Sequence, residues 1–264
     1  MEILRRLRNL GSAVLAVSTL SACASMGQLP PAQVADPFEP ANRSIYAVNS
    51  VVNQAVFVPL LVGYETLVLP PVRQSVSNAL ANLNEPTIFA NNILQGRFSA
   101  SLTTLTRFTV NSTLGAGGLF DIATLGGLPK QTGDFGQTMF VWGVNDSPFI
   151  MMPLLGPSTF RDAVGYGIDA AASPGGYAIY RVGGTIAASA VGGFEALRRA
   201  RDLQTVDDTA VDPYVRLRSI YYQTRRRDLL DAIGRKDDIF DPMITDGGLR
   251  PADMPTPPRR GAAR

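Results

Sequence analysis

The stretch PPVRQSVSNALANLNE occupies residues 70–85. Val72, Val76, Ala79, Leu80 and Leu83 recur at the spacing of one face of an α-helix, and strand alternation is absent. Pro70 and Pro71 suit a first helical turn, where the missing N–H has no intrahelical role. The segment is an amphipathic helix, and its neighbours read the same way. Pro86 restarts a helix through Leu94, with Gly96 at its end, and another helix runs from Phe98 to about Thr113. Leu102, Leu105 and Thr109 share one side of that second helix. Upstream, DPFEPANRSIYAVNSVVNQAVF (36–57) opens with Asp36, Pro37, Glu39 and Pro40, which are helix-start signals. Ala41, Ile45, Val48, Val52, Ala55 and Val56 follow at helical spacing, while Asn42, Asn49 and Asn53 form a separate uncharged stripe. VFVPLLVGYETLVLPP (56–71) adds a short apolar helix holding Pro59 and Gly63.

The second half is more broken. NSTLGAGGLFDIATLGGLPKQTGDFG (111–136) is dense in Gly, as turns or very short helices. DFGQTMFVWGVNDSPFIMMPLLGPSTFRDAVG (134–165) has two apolar arms around the polar tip 143–148. It is a β-hairpin or a helical hairpin; periodicity does not decide which. Ser158 is placed to cap a helix through about Ala171, and 174–180 makes a short helix. Thr185–Leu203 is helical, small and apolar at first, then basic at Arg198, Arg199 and Arg201. Asp212-Pro213 caps a last helix through about Ile233, with Tyr214, Leu217 and Tyr221 on one face. No repeat of 20–50 residues is present. The domain at 36–233 is thus one all-α unit of up to nine short helices, and 234–264 is a polar tail expected to be disordered after Asp246.

The leader explains the one cysteine. MEILRRLRNL carries Arg5, Arg6 and Arg8, and an apolar run from Leu10 to Leu20 follows. That is a secretion signal, residues 1–22, too short for a mature spanning helix. The cleavage region Leu20-Ser21-Ala22-Cys23 resembles the bacterial lipobox. Cys23 is then expected to carry diacylglycerol and an acyl chain, with 23–35 as a lipidated tether, and disulfides are excluded. Ala24 after the cysteine, rather than Asp, resembles an outer-membrane address.

Composition narrows the class. The net charge is +2, and Glu2 with the three leader arginines contributes all of it, so the mature chain is near neutral and no nucleic-acid partner is expected. Charged residues are 17%, below the roughly 25% of soluble domains. Yet no mature segment reaches roughly 18 unbroken apolar residues, so a standard spanning helix is not expected. A protein lying in or against one leaflet has this balance.

The chain contains no His, which rules out a Ser-His-Asp triad and a His-based metal site. GPSTF (156–160) lacks the last Gly of a nucleophile elbow, and GAGGLF (115–120) lacks the last Gly of a dinucleotide loop. Asp207-Asp208 and Asp237-Asp238 read as solvated surface. Arg225-Arg226-Arg227 could meet lipid phosphates or an acidic partner, although a solvated helix face is the simpler reading.

Six segments together resemble one family, the MlaA (VacJ) outer-membrane phospholipid-transport lipoproteins. They are DPFEPANRSIYAVN (36–49), SVSNALANLNEPTIFANNILQGRF (75–98), RFTVNSTLGAGGLFDIA (107–123), DFGQTMFVWGV (134–144), PFIMMPLLGPSTFRDAVG (148–165) and DPYVRLRSIYYQTRRRD (212–228). The resemblance implies an all-α, ring-shaped domain lying in the periplasmic leaflet of the outer membrane, with a central amphipathic channel. It implies outer-membrane phospholipids as the transported ligand, trimeric porins and a soluble periplasmic lipid carrier as partners, and no catalytic cofactor or metal. The segment Phe135–Phe149 matches a family hairpin that gates the channel, with Gly143 as its pivot; Asn145 and Asp146 stand where members place further Gly. Phe149, Ile150, Met151, Met152, Leu154 and Leu155 are expected to contact acyl chains, with core packing as the alternative. Two other readings are an envelope lipoprotein that braces porins and, without a visible nucleophile and base, a lipid hydrolase.

Overall fold

The computed structural model describes residues 36–145 and 147–235. The leader, Cys23, the tether, Asp146, Asp237-Asp238 and the tail expected beyond Asp246 lie outside those residues. The elements are α1 (Glu39–Val52), a π-helical turn (Asn53–Phe57), α2 (Val58–Leu67), α3 (Pro70–Leu94), α4 (Phe98–Thr113), α5 (Ile122–Leu125) and α6 (Phe135–Val141). Strands β1 (Phe149–Met152) and β2 (Gly156–Thr159) follow, then α7 (Phe160–Ala172), α8 (Pro174–Thr209) and α9 (Pro213–Ala232). The expected all-α class holds, with one two-stranded antiparallel sheet as the exception. Helix contacts close a circuit: α3 touches α6, α6 touches α9, α9 touches α8, and α8 returns to α3. That circuit gives the ring-like form expected from the resemblance.

Several boundaries differ from expectation. Glu39–Leu67 is one continuous 29-residue helix, long and apolar enough, by length and composition alone, to cross a membrane. Counting unbroken apolar runs missed it because Asn, Pro and Gly interrupt the run. The π turn explains how the helix passes Pro59. Proline has no N–H to give and crowds the carbonyl four residues back, and Val58 N–H bonds Asn53 O, one residue further back than an α-helix would. Pro86 does not restart a helix but sits inside the 25-residue α3. An interior proline costs about 3 kcal/mol, and α3 offsets it by packing against α4. Likewise α8 is one 36-residue helix rather than two shorter ones. The cap of α7 is Thr159, whose Oγ1 accepts from Asp162 N–H at 3.3 Å, and Ser158 belongs to β2. Asp212 caps α9 as expected, accepting from Val215 N–H at 3.1 Å.

The 134–165 segment resolves into neither simple hairpin. Its first arm is the helix α6; its second is the β1–β2 hairpin, with Phe149 opposite Thr159 and Met152 opposite Gly156. The asparagine stripe of α1 explains why. Asn42 Nδ2 donates to Phe149 O at 3.2 Å, and Asn42 Oδ1 accepts from Met151 N–H at 2.8 Å. Seven residues on, Asn49 repeats the pairing with Met152 O (3.0 Å) and Leu154 N–H (2.8 Å). Asn42 meets the edge of β1 as a neighbouring strand would, and Asn49 ties the end of β1 to the turn that follows it, which satisfies backbone groups otherwise without these partners.

Polarity is inverted over much of the surface. The buried side of α3 and α4 carries Asn82, Glu85, Asn91, Asn92, Ser101, Thr104, Arg107 and Asn111. Arg107 is 2% exposed and bonds Glu85 (3.0 Å), Asp121 (3.0 Å) and Leu128 O (2.7 Å). The outward positions hold Val72, Val76, Ile93, Leu94, Phe98, Leu102 and Leu105, and along 39–67 they hold Val48, Val51, Leu60, Val62 and Leu67. Val51 is 66% exposed and Leu102 65%. A water-facing helix has the opposite arrangement. The apolar core is small: Phe149, Met151, Val206, Tyr214 and Leu217, flanked by Tyr221 and Tyr222.

Candidate lipid site

Among the described residues, two sizeable cavities open against α8. The first, about 310 Å³, lies among the β1–β2 hairpin, α7, α9 and α8, with Met152, Leu155, Pro157 and Tyr166 on its apolar side. Asp134, Asp162, Asp169, Tyr221 and Arg225 form its polar wall. The second, about 490 Å³, lies between α2, the start of α3 and α8, and pairs Leu61, Phe194 and Leu197 with Glu65, Arg73 and Arg201. Arg199 is on the wall of both. Each cavity therefore offers an apolar face and a charged one, which suits an amphiphile.

A buried charge knot sets the shape of the first cavity. Arg225 Nη1 and Nη2 grip both oxygens of Asp134 at 2.6 and 2.8 Å, and Nε and Nη2 hold Asp162 at 2.8 and 2.7 Å. Arg161 Nε reaches Asp162 at 3.0 Å, and Tyr221 OH donates to it at 2.5 Å. Burial pushes the Asp162 carboxyl up, but the two guanidiniums outweigh it and hold the group at about 2. Asp169, half-buried beside Asn91 and the Phe135 N–H, is pushed above the ordinary carboxylate value, chiefly by burial. Two glycines make the knot possible. A Cβ on Gly136 would lie 2.5 Å from Asp162 Oδ1, and one on Gly165 would lie 2.3 Å from Gly136 N. At Gly165 the helices α6 and α7 touch backbone to backbone, so a methyl group there forces them apart, whereas one on Gly136 displaces the Asp162 and Arg225 side chains of the knot.

The expected site residues fall into distinct places. Phe149 and Met151 are buried in the core against Tyr214 and Leu217, so core packing, rather than lipid contact, is their environment. The pleat accounts for this: residues 149 and 151 share one side of β1, and Ile150 and Met152 the other, half-buried. Met152 and Leu155 line the 310 Å³ cavity. Leu154 is exposed and sits at φ 61°, a strained position for leucine that its N–H bond to Asn49 helps to fix. Phe135 meets Trp142 edge-on at 5.7 Å, and its N–H donates to Asp169 at 2.8 Å. Gly143 has φ 101°. Its N–H bonds Phe140 O and the Val144 N–H bonds Met139 O, both at 2.9 Å, the paired bonds of a glycine that ends a helix. Gly143 therefore terminates α6.

Two charge expectations are corrected. Arg225 is not part of a solvated helix face: it donates four hydrogen bonds to Asp134 and Asp162 on the cavity wall. Asp207 is not simple surface: Tyr46 OH and Ser50 Oγ both donate to it, the latter at 2.7 Å. Sequence reading did not assign Arg199 to the cavities. The switch from small to basic residues late in α8 marked it, but which way each arginine faces follows only from how α8 packs.

The chain has recognisable relatives. The family model described as MlaA lipoprotein matches residues 34–228. An uncharacterized protein of Rickettsia felis is 35% identical over 130 residues, which are 49% of this chain and 52% of that protein, so the match spans about half its length. The intermembrane phospholipid transport system lipoprotein MlaA of Escherichia coli K12 is 29% identical over 218 residues, covering 81% of this chain and 86% of that one. A solved structure, reported as "Structural basis for maintenance of bacterial outer membrane lipid asymmetry", superposes with a TM-score of 0.64 at 28% identity, covering 74% of this chain and 99% of the other. With the family model matched over most of the folded domain, the chain belongs to the MlaA lipoprotein family.

Proposed function

We propose that this chain is the outer-membrane lipoprotein component of an intermembrane phospholipid transport system. It removes phospholipids from the outer leaflet and delivers them to a soluble periplasmic carrier, thereby maintaining lipid asymmetry. The inverted polarity of α1–α4 carries the reading. Hydrocarbon stabilises the exposed Val and Leu face, while the buried Asn, Thr and Arg side lines a polar interior. The ring lies in the periplasmic leaflet, held further by the acyl chains on Cys23. Trimeric porins are its membrane partners. Met152 and Leu155, on the wall of the 310 Å³ cavity, meet acyl chains, and the Phe135–Phe149 segment gates the path.

The test is to purify the full chain from membranes in mild detergent and analyse its lipids and co-purifying proteins. Unmodified phospholipid is expected. Hydrolysis products accumulating from labelled phospholipid would instead favour a lipid hydrolase. Loss of the protein should sensitise cells to detergent plus chelator at unchanged porin level; no such sensitivity would sink the transport role.

A further inference from the structure

We propose that the 490 Å³ cavity between α2, α3 and α8 binds the phosphodiester anion of a lipid headgroup through Arg199, Arg73 and Tyr64, a reading that rests on the proposed transport function. Among the described residues, no hydrogen-bond or ion-pair partner engages Arg199, although it is half-buried on the cavity wall. Arg73 Nε and the Tyr64 hydroxyl are buried with no hydrogen-bond partner. Buried donors without acceptors are rare in folded proteins and costly, so two such donors and a half-buried, unpaired guanidinium around one cavity call for an acceptor. A phosphodiester supplies several oxygens and one negative charge, which fits guanidinium donors. The Tyr64 ring packs edge-on against Phe194 at 5.9 Å and Arg73 Nη1 pairs with Glu65 at 3.4 Å, so both side chains are held beside the cavity with the orphaned atom unengaged.

The carboxylates nearby do not cancel this charge. Glu65 already pairs with Arg73 Nη1 at 3.4 Å and with Arg201, leaving Arg73 Nε and all of Arg199 over. Asp202, also on the wall, is exposed. Arg73, Arg199 and Arg201 together outnumber Glu65 and Asp202 by one positive charge. Leu61, Phe194 and Leu197 border the same space, so an acyl chain can lie beside the bound headgroup. Arg199 also borders the 310 Å³ cavity, where Met152 and Leu155 stand, and one long side chain can therefore hold a headgroup at the junction of both spaces.

The experiment uses full-length protein in nonionic detergent, titrated with dihexanoyl phosphatidylglycerol, with dihexanoylglycerol, and with inorganic phosphate. Saturable phosphatidylglycerol binding is expected, with dihexanoylglycerol at least about tenfold weaker. Arg199→Met and Arg73→Met should each weaken it about tenfold, which is roughly 1.4 kcal/mol, and Tyr64→Phe by a few-fold. Among the described residues Arg199 holds no partner, so its variant should melt like the parent, and Tyr64→Phe removes only a hydroxyl unpaired among those residues; folding failure of Arg73→Met alone does not affect the outcome. Inorganic phosphate that binds in the lipid's place, with the same variant dependence, assigns the site to free phosphate and overturns the lipid headgroup. Unchanged phosphatidylglycerol affinity in both Arg199→Met and Tyr64→Phe overturns the site while the transport function stands. Absence of any phospholipid bound to the parent protein overturns that function as well.

Discussion

Asn42 offers the sharpest test of how this sequence makes its fold. Its side chain is 3% exposed and holds both Phe149 O and Met151 N–H of the β1 edge. Asn42→Ala leaves one buried carbonyl and one buried N–H without partners. Each orphan costs about 1–3 kcal/mol, so the variant should lose about 3 kcal/mol. For a domain of this size each kcal/mol moves Tm by roughly 2–4 °C, which predicts a drop of roughly 6–12 °C. Asn49→Ala should lose less, about 1–2 kcal/mol, because its partner Leu154 is at an exposed turn. Trp142 is the only tryptophan and donates to Leu94 O at 3.2 Å, so its fluorescence reports unfolding in detergent. Asn42→Asp separates the two halves of the clamp: it keeps an acceptor for Met151 N–H but sets a carboxylate against Phe149 O, and should be at least as damaging as Ala. If Asn42→Ala melts within about 1 °C of the parent, water replaces the clamp and the side-chain amide is not what holds β1.

Other outcomes follow from the charge knot, the glycine contacts and the anchor. Gly165→Ala places a methyl 2.3 Å from Gly136 N and should cost about 1–3 kcal/mol, whereas Gly167→Ala, with open space around it, should melt near the parent. The Asp162 carboxyl is held at about 2, below its ordinary value, so its stabilisation is full above the ordinary carboxylate range and is lost as pH falls through about 2. That loss is about 2 kcal/mol, and Asp162→Asn should flatten the decline of Tm between pH 4 and 2; an equally steep decline would place the acid sensitivity elsewhere. Cys23→Ala should leave the leader uncut and the protein at the inner membrane, and normal processing with outer-membrane fractionation would refute the lipobox. Gly143→Ala should cost about 1 kcal/mol for a left-handed non-Gly residue; if the segment gates lipid, surface-exposed phospholipid per folded molecule changes, and if that ratio is constant Gly143 only ends α6.

What was legible in the sequence was local. Helical spacing in 70–85 and the cap at Asp212 depend on residues within a few turns of each other, and both stand. Whether Pro86 ends a helix depends on what packs beside it, and α4 is sixteen residues of tertiary support that no window of sequence contains. The same holds for Arg225. Three adjacent arginines read as a solvated face until Asp134 and Asp162, 91 and 63 positions away, are brought to one of them.

The asparagine stripe shows the step between pattern and meaning. Spacing alone put Asn42, Asn49 and Asn53 on one side of a helix and the valines on the other. In water, the valines would be buried and the asparagines solvated. Here Asn42 and Asn49 are buried against a strand edge and Asn53 donates to Ala200 O at 3.2 Å, while Val48 and Val51 face outward. Amphipathic spacing has no sign: it gives two faces and leaves the medium to choose which is inside. In the sequence the sign was suggested elsewhere, by the lipobox resemblance at 20–23, the low charge content and the lack of an uninterrupted apolar run. An amide is the side chain that fits this inversion, since it sets an NH2 donor beside a C=O acceptor and carries no charge to desolvate. Valine faces hydrocarbon at no polar cost. A domain whose apolar faces point outward needs polar side chains to do inside what backbone pairing does in a larger sheet, and α1 supplies them to β1 and the turn after it at a seven-residue interval.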